Sequence, residues 1–183
     1  KNGPSDARNM GIAAAHGDHY AFVDSDDCIS PHMMEILMDN LNVTDSDISM
    51  CRYRKVNYND DILEKTGSNH LRTVDKDNLM KLLCNEDKSI EMAVVWNKLF
   101  KKEVFSDVRF PSGKYHEDQA VMHRLLYNCR RLVYTDDVLY YYMQREGSIM
   151  TMKVDRRLPD LYDAFIDRID FLAVKGYTEE SRF

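Results

Sequence analysis

Three aspartates follow a short apolar run near the start of the chain. The run covers residues 20–23, and Asp24, Asp26 and Asp27 come directly after it, around a single serine. Such a run predicts a buried parallel strand whose carboxyl end opens onto a pocket, where open α/β sheets place their ligands. In an extended segment Asp24 and Asp26 would point to the same side. Two such carboxylates repel each other unless a cation lies between them, and Mg²⁺ or Mn²⁺ prefers oxygen ligands while keeping positions open for phosphate.

Other structures can produce the same acidic pattern. An aspartate-rich turn after a strand can simply be a solvated loop. A calcium-binding loop is excluded, because Cys28 and Ile29 stand where that loop needs an oxygen ligand and a glycine. A metal-dependent phosphohydrolase with Asp24 as its nucleophile is disfavoured by the residues that follow, but it stays an alternative. A non-catalytic module that binds a sugar or a protein partner is the other alternative.

A second acidic pair lies far along the chain from the first. Glu117 and Asp118 follow a loop at 109–116 and open a predicted helix. Acidic residues favour helix N-termini, so the pair could be no more than favourable helix charge. If both acidic groups lie on one sheet, one could hold a metal on a phosphorylated leaving group while the other acts as a general base with a raised pKa. Arg8 and Arg145 could pair with phosphate.

The composition is that of an ordinary folded domain. The chain has 183 residues, of which 44% are hydrophobic and 31% are charged, with a formal net charge of -6. No basic stripe is present to neutralise phosphates, so we expect no nucleic acid partner. The four cysteines lack zinc or disulfide spacing, so reduced thiols and a cytoplasmic location are expected. No apolar run is long enough to cross a bilayer.

Helix and strand patterns alternate along the rest of the chain, without an internal repeat. Helices are predicted at 6–15, from Ser30-Pro31 onward, at 75–84, 117–128 and 155–175, with a helical turn at 101–105. Strands are predicted at 20–23, 47–56, 132–134 and 138–142, with a polar loop at 57–69 and a second apolar run at 92–100. We interpret residues 1–183 as a single domain.

Five short motifs lie in order along the chain. They are GPSDARNMGI at 3–12, FVDSDD at 22–27, WNKLFKK at 96–102, RFPSGKYHED at 109–118 and LYYYMQREGSI at 139–149. Together they resemble the family 2 glycosyltransferases, inverting enzymes that use nucleotide-sugar donors on a GT-A fold. The last motif is similar to the closing block of capsule and exopolysaccharide enzymes. Each motif alone is weak, but their conjunction in this order is specific.

The resemblance implies a fold and a departure from it. The expected fold is α/β, with a GT-A-like, Rossmann-like and mostly parallel sheet flanked by helices. The family's first strand and its D-D-G-S block have no counterpart in this sequence. We therefore expect a fragment that lacks the N-terminal strands, holds most of its nucleoside pocket outside these residues and binds donor poorly by itself. The exposed sheet edge could pair two copies.

The resemblance also implies roles for individual residues. Asp24 and Asp26 would bind the donor's ribose and, through Mn²⁺ or Mg²⁺, its diphosphate. Asp118 would be the catalytic base, supported by Glu117. Further contacts to the nucleotide-sugar are expected from Arg8, Asn97, Lys98, Arg145 and Ser148.

The resemblance implies substrates only at the level of the family. The donor would be a nucleotide-sugar, with a UDP-sugar expected first, and the acceptor would be a glycan or a lipid-linked acceptor of bacterial polysaccharide biosynthesis. A lipid-linked acceptor would bring the protein to the inner face of the cell membrane as a peripheral protein.

Overall fold

The computed structural model describes residues 3–57, 70–83, 89–144 and 157–177. Helices and strands are numbered here in chain order. The α-helices are α1 (Pro4–Ala14), α2 (Met33–Thr44), α3 (Lys76–Leu83), α4 (Ser89–Ala93), α5 (Glu117–Asn128) and α6 (Leu158–Val174). The strands are β1 (His19–Ala21), β2 (Cys28–Ile29), β3 (Ile48–Val56), β4 (Leu71–Asp75), β5 (Lys98–Lys101) and β6 (Arg131–Met143). A 3-10 turn, Lys102–Phe105, follows β5.

The six strands form one mixed sheet in the order β1-β5-β3-β6-β2, and β4 also pairs with β6. β4 and β2 lie along the first and last parts of β6, and β3 runs parallel to β6. The α/β class is confirmed, but the expectation of a mostly parallel sheet is wrong. Only the β3–β6 pairing is parallel among those the structure describes. A continuous apolar run is typical of parallel strands but does not by itself fix the direction of a strand.

Two hydrophobic clusters cover the two faces of the sheet. Leu99 and Phe100 are neighbours on β5 but belong to different clusters, as the alternation of side chains along a strand requires. Residues of α3 and α5, such as Leu79 and Leu125, pack in the cluster of Phe100. Leu37 of α2 packs in the cluster of Leu99. The sheet is thus flanked by helices on both sides, as expected.

Elements with a regular apolar pattern lie close to their predicted positions. α5 occupies the predicted span 117–128, and β3 begins one residue after the predicted start of its strand. α6 lies inside the predicted 155–175. The loop predicted at 57–69 lies outside the described residues except for its first residue.

The start of α2 and the division of β6 differ from expectation. We expected Ser30 to cap a helix beginning at Pro31, whereas α2 begins two residues later and Ser30 Oγ accepts a hydrogen bond from the His32 N–H at 3.2 Å. β6 is one strand of 13 residues rather than two short ones. Its polar centre does not break it, because Thr135 Oγ1 donates to Asp137 Oδ2 at 2.7 Å and both residues are buried.

The first strand is shorter and less buried than the sequence suggested. β1 covers only His19–Ala21 and pairs antiparallel with β5, and Val23 is 45% exposed. Within the described residues β1 ends the sheet path, so Ala21 leads from this outer strand directly into the acidic residues. No helix in the described ranges has the length and apolar character that a membrane crossing requires.

Candidate active site

Arg8 on α1 joins the two acidic groups that the sequence places far apart. Its Nη1 donates to Glu117 Oε1 at 2.6 Å and to Asp118 Oδ1 at 2.7 Å, and its Nη2 donates to Asp24 Oδ1 at 2.9 Å. The Arg8 side chain is only 10% exposed. The structure therefore gathers both acidic groups around one guanidinium.

The loop that precedes α5 is bound to α1 near the site. The Asn9 amide on α1 donates to the Phe110 carbonyl at 2.8 Å, and the Phe110 N–H donates to Asn9 Oδ1 at 2.9 Å. The Arg8 guanidinium lies over the Phe110 ring, 5.4 Å from its centroid. His116, in the left-handed region at φ 55°, then turns the chain into α5, which begins at Glu117. These contacts position the first turn of α5 against α1.

The residues from Asp24 to Asp27 form a turn rather than the predicted extended segment. The Asp27 N–H donates to the Asp24 carbonyl at 3.1 Å. The Tyr140 hydroxyl accepts from the Asp24 N–H at 3.2 Å and donates to Asp27 Oδ2 at 2.7 Å, while the Met143 N–H donates to Asp27 Oδ1 at 2.9 Å. Asp24 and Asp26 therefore do not share a face as strand neighbours would. We call residues 24–27 the acidic turn.

Burial and charge give Asp118 an unusual proton affinity. Burial together with the negative charges of Glu117 and Asp24 raises the pKa of Asp118 to about 7, although Arg8 and the Val95 N–H act in the opposite direction. Burial lowers the pKa of Arg8, but the three carboxylates outweigh this effect and the net pKa lies above its usual value. A carboxyl group that exchanges its proton near neutral pH is suited to general base chemistry.

Asn97 and Lys98 lie wholly inside the molecule. The Asn97 amide donates to the Cys51 carbonyl at 3.0 Å. Lys98 Nζ donates to the carbonyl oxygens of Glu91 at 2.8 Å and Val94 at 2.5 Å, and to Asn97 Oδ1 at 2.7 Å. Both side chains thus have internal partners, and their predicted contact with the donor stays a prediction. Burial lowers the pKa of Lys98 to about 7, and the charge of Asp118 opposes that shift.

Trp96 belongs to an aromatic cluster at the edge of the acidic turn. Its ring stacks on Tyr140 with a centroid distance of 4.3 Å and on Tyr142 at 5.9 Å, and it meets Tyr53 edge-on at 4.9 Å. The tryptophan is 6% exposed, so it is chiefly a core residue. Because Tyr140 also holds the acidic turn, the cluster links the core to the site.

Asp24 and Asp26 are the residues predicted to hold a divalent metal. The Asp24 side chain is 36% exposed with Oδ1 bound by Arg8, and Asp26 lies on the exposed side of the acidic turn. Among the described residues, no group of three His, Cys, Asp or Glu side chains could hold a metal. Magnesium and manganese keep several positions for water and phosphate oxygens, so the two aspartates fit a site that a bound diphosphate completes.

Two predicted site residues lie outside the described part of the chain, and two residues at the site were not predicted. Arg145 and Ser148 lie outside the described residues, so their roles stay predictions. Sequence reasoning missed Tyr140, which looked like one of several tyrosines in an apolar strand. It also missed Val95, whose contribution is a backbone N–H that donates to Asp118 Oδ2 at 3.3 Å. A backbone donor leaves no signal in the residue type.

Comparison with known protein families adds an independent line of evidence. The sequence profile described as Glycosyl transferase family 2 matches residues 1–109. The chain belongs to glycosyl transferase family 2. The family that the motifs suggested is therefore confirmed. The match includes Arg8 and the acidic turn, while Glu117 and Asp118 lie beyond its end.

Two family 2 relatives come from Streptococcus pneumoniae serotype 4 (strain ATCC BAA-334 / TIGR4). Glycosyltransferase GlyG is 31% identical over 188 residues, which cover 96% of this chain and 60% of GlyG. Glycosyltransferase GlyA is 30% identical over 183 residues, which cover 97% of this chain and 26% of GlyA. The chain thus spans less than two thirds of either relative.

Solved structures with the same fold include S. aureus TarS 1–349. Its complex with UDP-GlcNAc gives a TM-score of 0.67 at 20% identity, over 91% of this chain and 47% of that chain. Its complex with UDP gives a TM-score of 0.62 at 18% identity, over 91% of this chain and 44% of that chain. The likeness shows that this family 2 member has the GT-A fold that we expected.

Proposed function

We propose that the protein transfers a sugar from a nucleotide-sugar donor to a hydroxyl group of a glycan or lipid-linked acceptor. The observation that carries the proposal is the meeting of Asp24 and Asp118 at Arg8, since transfer needs a donor site and a base in one place. Family membership supports the reaction class. The TarS complexes with UDP-GlcNAc and UDP support a UDP-sugar as the donor.

The chemistry would be a single displacement that inverts the anomeric carbon. An Asp118 oxygen takes the proton of the acceptor hydroxyl while that oxygen attacks the sugar and the bond to the nucleoside diphosphate breaks. Glu117 keeps the Asp118 proton affinity high through its negative charge. Arg8 and the Val95 N–H orient the Asp118 carboxyl group.

The acidic turn would hold the leaving group. Asp24 and Asp26 would bind Mn²⁺ or Mg²⁺, which when present supplies positive charge against the departing diphosphate. Tyr140 fixes the backbone of the acidic turn through the Asp24 N–H and the Asp27 carboxylate. These contacts would hold the backbone that carries the two aspartates in place.

A donor screen on the full-length protein tests the proposal, with released nucleoside diphosphate as the readout. We expect release from a UDP-sugar to depend on acceptor and divalent metal, and to be lost in Asp118→Asn. Asp39→Asn is the matched control, because Asp39 is an exposed residue of α2.

Other outcomes of the same screen favour the rival functions. Inorganic phosphate released without an acceptor, together with a phosphorylated Asp24, would favour the phosphohydrolase. Unchanged transfer in Asp118→Asn would remove the proposed base, and binding without turnover by wild-type protein would favour a binding module. Calorimetric titration of Asp26→Asn with UDP, with and without Mn²⁺, measures the metal's contribution apart from turnover.

A further inference from the structure

A single peptide group separates Lys98 from Asp118. Lys98 Nζ donates to the carbonyl oxygen of Val94 at 2.5 Å. The N–H of the same peptide group belongs to Val95 and donates to Asp118 Oδ2 at 3.3 Å. The ammonium, the peptide and the carboxylate therefore form one continuous line of hydrogen bonds.

The hydrogen-bond partners of Lys98 match its charged form. Nζ has three acceptors within hydrogen-bond distance: the carbonyl oxygens of Glu91 and Val94, and Asn97 Oδ1. An ammonium group has three N–H donors and a neutral amine has two, so three acceptors match the ammonium. The side chain is fully buried. All of its donors are thus used inside the protein.

The line of hydrogen bonds can orient the carboxyl group of Asp118. A cation at the carbonyl end of a peptide polarises it and strengthens the hydrogen bond made by its N–H. Lys98 also holds the turn between α4 and β5 through the Glu91 and Val94 carbonyls, which fixes where the Val95 N–H points. Arg8 binds the other oxygen, Asp118 Oδ1. Both carboxylate oxygens are therefore held from opposite ends.

We propose that Lys98 is a positioning residue for Asp118 that acts through the Val94–Val95 peptide group and does not touch the donor. This inference rests on the proposed function, in which Asp118 is the base. It replaces the expectation that Lys98 contacts the nucleotide-sugar with a role in the geometry of the reacting group.

The test compares Lys98→Met with Lys101→Met in the full-length protein. Lys101 lies on the same strand, and its ammonium pairs with Asp47, away from the site. With UDP-sugar as the probe, Lys98→Met should lower kcat about tenfold, as expected when one hydrogen bond that positions the base is lost, and leave the donor KM unchanged. Lys101→Met should change neither. A rise in donor KM at constant kcat would show a ligand contact and overturn the proposal.

A spectroscopic readout makes the test independent of turnover. The Val95 amide proton resonance should move upfield in Lys98→Met and in Asp118→Asn, and stay in place in Lys101→Met. A resonance that is unmoved in Lys98→Met overturns the proposal whatever the kinetics show. If Lys98→Met does not fold, a through-bond coupling between the Lys98 Nζ nitrogen and the Val94 carbonyl carbon in wild-type protein decides, and its absence overturns the proposal.

Failure of the inference can be told apart from failure of the proposed function. If Asp118→Asn abolishes transfer but Lys98→Met behaves like Lys101→Met, only the role of Lys98 is wrong. If Asp118→Asn keeps full transfer, the base is wrongly assigned. The Val95 resonance would then report a structural link without a catalytic purpose, and the inference would fall with the base.

Discussion

Two carboxylate clusters in this protein have different balances of charge. Around Arg8, one guanidinium serves three carboxylates, and the pKa of Asp118 rises to about 7. At the start of β3, two cations serve two carboxylates: Asp47 accepts from Arg130 Nη2 at 2.8 Å and from Lys101 Nζ at 3.3 Å. The exposed Asp45 lies 3.6 Å from Arg130 and 3.8 Å from Lys101. The pKa of Asp47 is lowered.

The comparison shows that burial alone does not decide the direction of these shifts. Burial raises the pKa of both carboxyl groups and is the largest single influence on each. At Asp47 the hydrogen bonds from Arg130 and Lys101 together exceed it, whereas at Asp118 the neighbouring carboxylates add to it. A cluster with as many cations as carboxylates makes a structural contact, and an excess of carboxylates makes a group that can exchange a proton at neutral pH.

The largest expected effect is the loss of transfer in Asp118→Asn. General base catalysis contributes about 10²–10⁴-fold, so kcat should fall by that factor while the fold persists. Asp47→Asn should leave kcat near the wild-type value. Steady-state transfer assays with circular dichroism of each variant measure the contrast. Equal losses of activity in the two variants would mean that the clusters do not differ in function.

Arg8→Met should destabilise the protein more than Arg130→Met does. Removing Arg8 leaves three carboxylates close together without their shared cation, and breaking such a partly buried group costs about 3 kcal/mol. Arg130 is exposed, and Lys101 still pairs with Asp47 after its loss, so the second change should be smaller. Urea unfolding of both variants measures the difference. A smaller cost for Arg8→Met than for Arg130→Met would contradict the charge balance described here.

The two clusters should also respond to pH in opposite ways. The folded pKa of Asp118 lies above its unfolded value, so its stabilising contribution is complete below about pH 4 and is lost as the pH rises to about 7. The folded pKa of Asp47 lies below its unfolded value, so its contribution is present above about pH 4 and is lost as the pH falls through the folded pKa.

Unfolding free energies measured from pH 3 to pH 8 test this contrast. The free energy of unfolding of Asp118→Asn, relative to that of wild type, should increase as the pH rises toward neutrality. Asp47→Asn should cost about 1–2 kcal/mol at pH 7 and less in acid. Parallel curves for the two variants would show that at least one of the two pKa shifts has the wrong direction.

The smallest effect is expected from Tyr140→Phe. The change removes the hydroxyl contacts to Asp24 and Asp27 but keeps the stacking on Trp96, so stability should fall by about 1 kcal/mol. The apparent affinity for Mn²⁺ and donor should weaken because the acidic turn is less well fixed. Tyr141→Phe is the control, since that hydroxyl reaches the Val138 carbonyl. Equal effects of the two substitutions would show that the Tyr140 hydroxyl has no particular role at the acidic turn.

Regular patterns in the sequence predicted the elements that bury a continuous apolar face. α5 and β3 are such elements, because period and burial are linked by the geometry of the helix and the strand. The family-specific motifs also indicated which carboxylates belong together. What they could not indicate was the partner of Arg8, since residue type does not distinguish a phosphate ligand from a guanidinium shared by three carboxylates.

Strand direction and internal polar contacts could not be predicted from the sequence, for other reasons. β5 lies antiparallel to its neighbours although its apolar run reads like that of a parallel strand. Asn97 and Lys98 interrupt that run and suggested a pocket or an edge. Asn97 donates to the Cys51 carbonyl on β3, and Lys98 donates to the Val94 carbonyl in the turn before β5. These partners come within reach only once the chain has folded.

The hydrogen bonds at the site join residues that are far apart along the chain, which bears on the order in which regions fold during synthesis. Arg8 and Asp118 are 110 residues apart, and Asp24 and Tyr140 are 116 residues apart. A nascent chain that has emerged from the ribosome only to residue 109 already contains the residues that match the family profile. It still lacks Asp118 and Tyr140. Closing loops of this length is slow and is favoured only after the distant segments exist. The cluster around Arg8 should therefore be among the last regions to become ordered.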